Sequence, residues 1–475
     1  MHRPSVLLRS LLVTILLVGC ALPAVPGGAA RFTVILHPDG PLYVGDRVSF
    51  EIVAPAGFDS AGQRVTVSLS GQALGQAGFA AYGVGGRQEA VLWWVWNTHG
   101  LHPGVYALSF AVTPGGEREG GTVDQVPPSG GDRWTEGVSL LPGSEVPPPE
   151  PGAHWAALTT TCCTLYYITG TDAARDIASL GRIADAQSAD VSAKLGAALR
   201  DRMPVILMPR LLGNGGFTQT AVYVSYLDRN YGDTDVSLLM HHEFVHFYDQ
   251  SIGGGFRPLL FEEGLAVYLS GGHFLPEALG PYAAAVLDQD EYIPLETLAN
   301  DFYHQQHEIG YAEAAGLVQY LVATYGWEAF SRFYRSIPDP GGKAIAQAID
   351  AALQANFRIT FDRMEAGYKD YLRAQTVTEA DRQNLQLTIA FFDAMRRYQQ
   401  AFDPSAYYLT AWVPDGAEMR TLGVVADYLR HPQGPENRLI EAQLMQAWKE
   451  LAAHDYPSVT RTLKQVNAAL DLVAR

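Results

Sequence analysis

The sequence predicts a multidomain chain: an all-β sandwich first, an α+β domain in the middle, and an all-α region last. Three observations predict it. Apolar residues alternate with period two in short runs across residues 31–115. A stretch rich in Gly, Pro and Ser follows at 116–153 and ends in Pro147-Pro148-Pro149-Glu150-Pro151. Strand-like and helix-like patterns then alternate over 154–375, and helical spacing alone continues over 376–475. With 475 residues the chain is long enough for two or three separate cores.

The first 30 residues predict a signal peptide. Arg3 and Arg9 make a positive start, and Leu11 to Val18 form an apolar run too short for an ordinary membrane span. Leu17-Val18-Gly19-Cys20 resembles the bacterial lipoprotein box, which implies a lipid on Cys20 and a place in the cell envelope. Secretion with cleavage near Ala24 is the second choice. No later segment reaches the ~20 consecutive apolar residues of a spanning helix. A formal net charge of −17 excludes a nucleic-acid partner and electrostatic docking on anionic lipid, both of which call for a basic surface.

Within 31–115 the strand candidates are Phe32 to Leu36, Val48 to Val53, Val65 to Leu69, Ala90 to Trp96 and Tyr106 to Val112. Gly, Pro and Asp turns separate them, a spacing that suits an immunoglobulin-like sandwich. Leu101-His102-Pro103-Gly104-Val105-Tyr106 resembles a strand entry found in bacterial domains of that kind. No catalytic constellation occurs there, so a spacer or binding module is expected. Residues 116–153 read as a semi-extended linker and a hinge.

In 154–375 strands are expected at Leu165 to Ile168, Pro204 to Met208 and Ala221 to Tyr226, with a helix from Ala173 to about Leu199. After the signal the cysteines are Cys162 and Cys163. Closing an eight-membered ring between neighbours is strained, so they are expected as buried thiols on opposite faces of a strand, with no disulfide framework. Residues 376–475 read as paired helices opened by a capping box at Thr378 to Asp381, with no function legible.

The chemistry lies at His242-Glu243-Phe244-Val245-His246. Residues four apart on a helix share a face, so both imidazoles can reach one cation. Glu243, beside the first ring, can take a proton from a water at the metal without being a ligand. Asp233 or Asp235 can cap this helix, and Gly253-Gly254-Gly255 stops it. Its apolar residues run nearly all the way round, which predicts burial. Two buried imidazoles and a carboxylate are costly without a partner, and zinc is that partner. A catalytic zinc takes three protein ligands and leaves one position for water. Glu262 and Glu263 are both candidates, since ligand distance alone does not separate adjacent carboxylates. Asp249 and His273 are weaker ones.

The pentad followed by Glu263-Gly264-Leu265-Ala266-Val267-Tyr268 resembles the gluzincin branch of zinc metallopeptidases, in the peptidase MA-like superfamily. The resemblance covers about 165–335 and implies a zincin-like domain at 154–375 with one zinc ion per chain on His242, His246 and Glu263. Tyr311-Ala312-Glu313 to Tyr325-Gly326 resembles the helix after the zinc site in that superfamily, which implies an oxyanion-steadying role for Tyr311. His304 and His307 receive no role. The spacing from His246 to Glu263 departs by a few residues from that of familiar aminopeptidases, and their GxMEN segment is missing. An endopeptidase is therefore preferred over an exopeptidase. The expected function is an extracytoplasmic zinc peptidase acting on peptide or protein substrates. The strand Ala221 to Tyr226, if it is the sheet edge, would align substrate backbone. The alternatives are a non-catalytic zinc-binding surface lipoprotein and a zinc hydrolase of another substrate class.

Overall fold

The computed structural model describes residues 32–82, 87–114, 132–211, 213, 215–232, 235–411 and 414–473. The signal-peptide reading and Cys20 lie outside the described residues, as does Asp233. The described chain is a mixed α/β multidomain protein, with sheets in its N-terminal part and many helices after them.

Nine strands build the first region: β1 (Thr33–His37), β2 (Leu42–Tyr43), β3 (Arg47–Val53), β4 (Gln63–Leu69), β5 (Gln72–Gly78), β6 (Ala80–Tyr82), β7 (Arg87–Asn97), β8 (Gly104–Pro114) and β9 (Arg133–Leu141). They form two sheets, ordered β1-β3-β7-β6 and β2-β9-β8-β4-β5. Alternate residues of both sheets share one core, with Phe50, Ile52, Leu92 and Trp96 facing Val65, Val67, Leu108 and Phe110. Tyr106 ties the turn before β8: its hydroxyl donates to the His102 carbonyl at 2.8 Å and accepts from the His102 N–H at 3.1 Å.

The described part of the expected linker, residues 132–153, is not simply a linker. β9 pairs antiparallel with β8 from Gly104↔Leu140 to Ala111↔Arg133 and completes the second sheet. Its period two, with Val138 and Leu140 buried between exposed neighbours, is masked by the Gly and Pro around it. Nor is the segment's end a free hinge. Glu150 is held by Arg430, with Nε–Oε2 at 2.7 Å.

Five strands follow: β10 (Trp155–Thr159), β11 (Cys163–Ile168), β12 (Met203–Met208), β13 (Gly216–Thr218) and β14 (Val222–Ser225). Their order is β10-β11-β12-β14-β13, with β11, β12 and β14 parallel and β10 and β13 antiparallel to their neighbours. The edge beside the pentad helix is therefore β13, not the Ala221 to Tyr226 strand expected from the sequence. Cys162 and Cys163 correct a second expectation, because they are joined by a disulfide. Cys162 sits in the bend before β11 rather than on its pleat, and the Asp185 carboxylate accepts from its N–H at 2.9 Å. The turn geometry there replaces the strand alternation on which the thiol reading depended.

One face of this sheet packs through Val205, Leu207, Val222 and Val224 on α1 (Asp172–Leu195) and α2 (Val236–Ile252). Helices α3 (Leu259–Ser270), α4 (Leu279–Asp288), α5 (Leu295–Asn300), α6 (His307–Tyr325), α7 (Trp327–Arg335), α8 (Ile345–Phe357) and α9 (Phe361–Arg373) extend the same core. The C-terminal region holds α10 (Glu379–Phe402), α11 (Pro404–Ala411), α12 (Gly416–Thr421), α13 (Ala426–Leu429), α14 (Pro435–Ala452) and α15 (Tyr456–Val473). The Thr378 and Asp381 side chains form a reciprocal capping box, and α10, α14 and α15 share a core around Phe391, Phe392 and Trp448. The sheet's other face, through Ile206, Met208 and Tyr223, is covered by Tyr408, Met419 and Tyr428 together with Trp94 of the sandwich.

Candidate metal centre

Helix α2 is built by local signals. The Asp235 carboxylate caps it, accepting from the N–H groups of Ser237 at 2.7 Å and Leu238 at 3.2 Å, and Gly253 ends it at φ 76°. The helix is buried without a break from Leu238 to His246. Its three consecutive polar residues diverge. His241 points toward Asp190 (Nε2–Oδ2 2.8 Å) and Ser270 (Nδ1–Oγ 3.0 Å), fastening α2 to α1 and α3. His242 and His246 point together, their Nε2 atoms 3.1 Å apart.

Helix α3 supplies the third group. Glu263 Oε2 lies 3.4 Å from His242 Nε2 and 3.3 Å from His246 Nε2. Among the described residues this is the single group of three such side chains whose ligand atoms gather within 4.8 Å. The adjacent Gly264 lets α6 approach, since a Cβ there would stand 2.5 Å from the Ala314 carbonyl oxygen. Glu262 points elsewhere, its Oε1 4.0 Å from His246 Nδ1 on the outer side of the ring. Asp249 is outside the group as well. It accepts from Arg257 Nε at 2.8 Å, Arg335 at 2.9 Å and the Tyr334 hydroxyl at 2.9 Å, an ionic anchor between α2 and α7.

The three atoms fit one cation. Ligands about 2.0–2.1 Å from a tetrahedral zinc stand roughly 3.3 Å apart, close to the triangle observed. Glu263 Oε2 is buried and has no hydrogen-bond partner, an arrangement that costs free energy unless a positive charge answers it. The electrostatics agree. Burial alone would raise the Glu263 carboxyl, but the two imidazoles hold it well below the usual range. Burial alone would lower His246, but the Glu263 charge outweighs it and lifts the ring to about 9.

Glu243 stands beside the triangle without joining it. Burial pushes its carboxyl up, against the pull of His242 and His246. Its Oε2 accepts from the Thr218 hydroxyl at 2.8 Å. Thr218 comes from the edge strand β13, which runs so close that a Cβ on Gly216 would meet the Tyr223 carbonyl oxygen at 2.6 Å and Glu243 Cγ at 3.3 Å.

Tyr311, at the start of α6, is buried with its ring 6.3 Å from His242 and 3.9 Å from His273. Burial and then the Glu263 charge raise its phenol well above 10. His273 lies 5.2 Å from His242, ring to ring, and neither of its nitrogens has a hydrogen-bond partner. Burial holds it well below its ordinary value. His307 lines the same wall, 4.4 Å from Tyr311, whereas His304 is exposed and paired with Asp301. The residues that the sequence did not flag are Thr218 and Tyr303, whose hydroxyl donates to Glu263 Oε1 at 2.7 Å. Neither belongs to a periodic pattern. Strand β13 is three residues long, and Tyr303 lies in the loop between α5 and α6.

No protein-family description matches the chain, and no curated protein does either. Among solved structures, an aminopeptidase N family protein from Idiomarina loihiensis aligns over 82% of this chain and 78% of that one, at 9% sequence identity. The TM-score is 0.21, too low to carry an argument.

Proposed function

We propose that the chain is an extracytoplasmic zinc-dependent peptidase, with one zinc ion held by His242, His246 and Glu263 and with Glu243 as general base. The observation that carries this reading is the buried triangle of two imidazole nitrogens and one carboxylate oxygen, with a second carboxylate beside it that is not part of it. A zinc ion there would act as a Lewis acid and would bring a water at its open position toward a pKa of ~7. Glu243 takes the proton of the attacking water and passes it to the leaving amine. Thr218 holds the Glu243 carboxylate in place, and Tyr311 donates to the oxygen on which negative charge develops. The free side of β13 receives substrate backbone by strand addition. A purely structural zinc site fills all four positions and has no use for Glu243, which disfavours the non-catalytic surface lipoprotein.

The substrate is a peptide or protein cut internally, since no GxMEN segment is present to hold a substrate N-terminus. The same reading takes the N-terminal sandwich as immunoglobulin-like, residues 154–375 as gluzincin-like, and the membrane as reached through a lipid on Cys20. The test is a peptide-library digest by the full mature chain with and without a zinc chelator. Cleavage is expected to stop with chelator, to return with zinc, and to be absent in Glu243→Gln. Cleavage indifferent to both would defeat the proposal.

A further inference from the structure

Glu263 presents its two carboxylate oxygens to different surroundings. Oε2 faces the imidazoles at 3.3 and 3.4 Å and has no hydrogen-bond partner, whereas Oε1 receives the Tyr303 hydroxyl at 2.7 Å. Tyr303 is 56% exposed, so burial of its ring is not what holds it in place. The loop that carries it is anchored instead by its neighbour Phe302, which is 4% exposed and packs edge-on against Tyr311 at 5.2 Å. Phe302 thus supplies the packing, and Tyr303 is left free to make a directed contact with the carboxylate.

We infer that Tyr303 is a positioning residue of the metal centre: by occupying Glu263 Oε1 it presents Oε2 alone to the cation. The inference rests on the zinc reading above and deepens it. A carboxylate with both oxygens free can rotate about its last torsion or bind a cation through both atoms. A phenol donor on one oxygen fixes the plane and imposes binding through the other. Hydrogen bonds of this kind behind a metal ligand typically set affinity by 10–100-fold. The donor here comes from a surface loop rather than from α2 or α3, so the loop's position and the ligand's geometry are coupled.

The test is zinc binding by Tyr303→Phe and wild type in the full mature chain, by competition with a chromophoric chelator, alongside the visible spectrum of the cobalt-substituted proteins. Removing this hydroxyl should lower the melting temperature of the metal-free protein by no more than a few degrees, and circular dichroism of both metal-free proteins checks that the variant is folded. The expected result is a zinc affinity roughly 10–100-fold weaker, faster release to chelator, and a cobalt spectrum altered by the change in coordination. An affinity within about twofold of wild type with an identical cobalt spectrum would overturn the inference while leaving the zinc site intact. A wild-type chain that binds no zinc, or whose zinc survives His242→Ala, would instead overturn the site reading and the inference with it.

Discussion

The Thr218 hydroxyl lies 2.8 Å from Oε2 of Glu243 and 3.0 Å from the same residue's backbone carbonyl oxygen. One side chain of the edge strand thereby fixes both the carboxylate and the helical turn that carries it. Glu243→Gln keeps the volume and the Thr218 contact but removes the base. It is expected to keep one zinc per chain while losing roughly 10²–10⁴-fold in turnover, as read by peptide hydrolysis beside metal analysis. Thr218→Val removes the donor alone and should cost about tenfold in kcat with little change in zinc content.

The two adjacent glutamates of α3 separate cleanly in space. Glu263 joins the imidazoles, and Glu262 stays 4.0 Å away on the far side of His246. Glu263→Ala should therefore bring zinc stoichiometry close to zero after dialysis, whereas Glu262→Ala should keep it near one. The opposite pattern would reassign the third ligand.

Asp427 is buried, and neither of its carboxyl oxygens has a hydrogen-bond partner. Burial lifts it from 3.8 to about 7, against the pull of the Arg430 charge. A carboxyl raised in the folded state binds its proton more tightly there than when unfolded. Stability from this group is thus fully present below about pH 4 and falls as pH climbs toward about 7. Asp427→Asn should flatten that slope. Denaturant unfolding should show a gain on the order of 4 kcal/mol near pH 8 and little change near pH 4.

Arg430 bridges three parts of the chain. Its guanidinium meets both carboxylate oxygens of Asp46 at 2.7 Å and Glu150 Oε2 at 2.7 Å, and its side chain is 8% exposed. Arg430→Ala leaves the buried Asp46 carboxylate and the half-buried Glu150 carboxylate without their counter-charge and should cost about 3–5 kcal/mol. The sandwich is expected to melt away from the remainder in a separate calorimetric transition.

Cys20 carries the localisation proposal. Cys20→Ala should move the protein from the membrane fraction to the soluble one. Unchanged fractionation on immunoblots would favour free secretion.

How much was legible in the sequence depends on the range of the signal. Helix α2 and its ends were readable because Asp235 and Gly253 act within one turn of it. The five sandwich strands expected from alternation are present, while β9 was hidden because its period two is embedded in Gly and Pro. The grouping of His242, His246 and Glu263 followed the pentad and the EGLAVY resemblance. Thr218 and Tyr303 reach the site from a three-residue strand and a loop, 25 and 40 positions from the glutamates they contact. Contacts at such separations leave no period in the sequence. The Cys162–Cys163 bond escaped for a related reason, since a bend and not a strand holds Cys162.

Trp94, Ile206, Tyr223, Tyr408 and Tyr428 belong to one apolar cluster although they come from all three regions of the chain. The region that carries the candidate metal centre is accordingly not a removable cassette. Cutting near residue 375 would strip the roof from Ile206 and Tyr223, leaving greasy residues facing water on what should be an interior surface. Such a fragment would precipitate or misassemble, and any loss of its activity would say nothing about the chemistry of the centre. The C-terminal helices thus cover the sheet whose opposite face packs on the helix of His242 and His246.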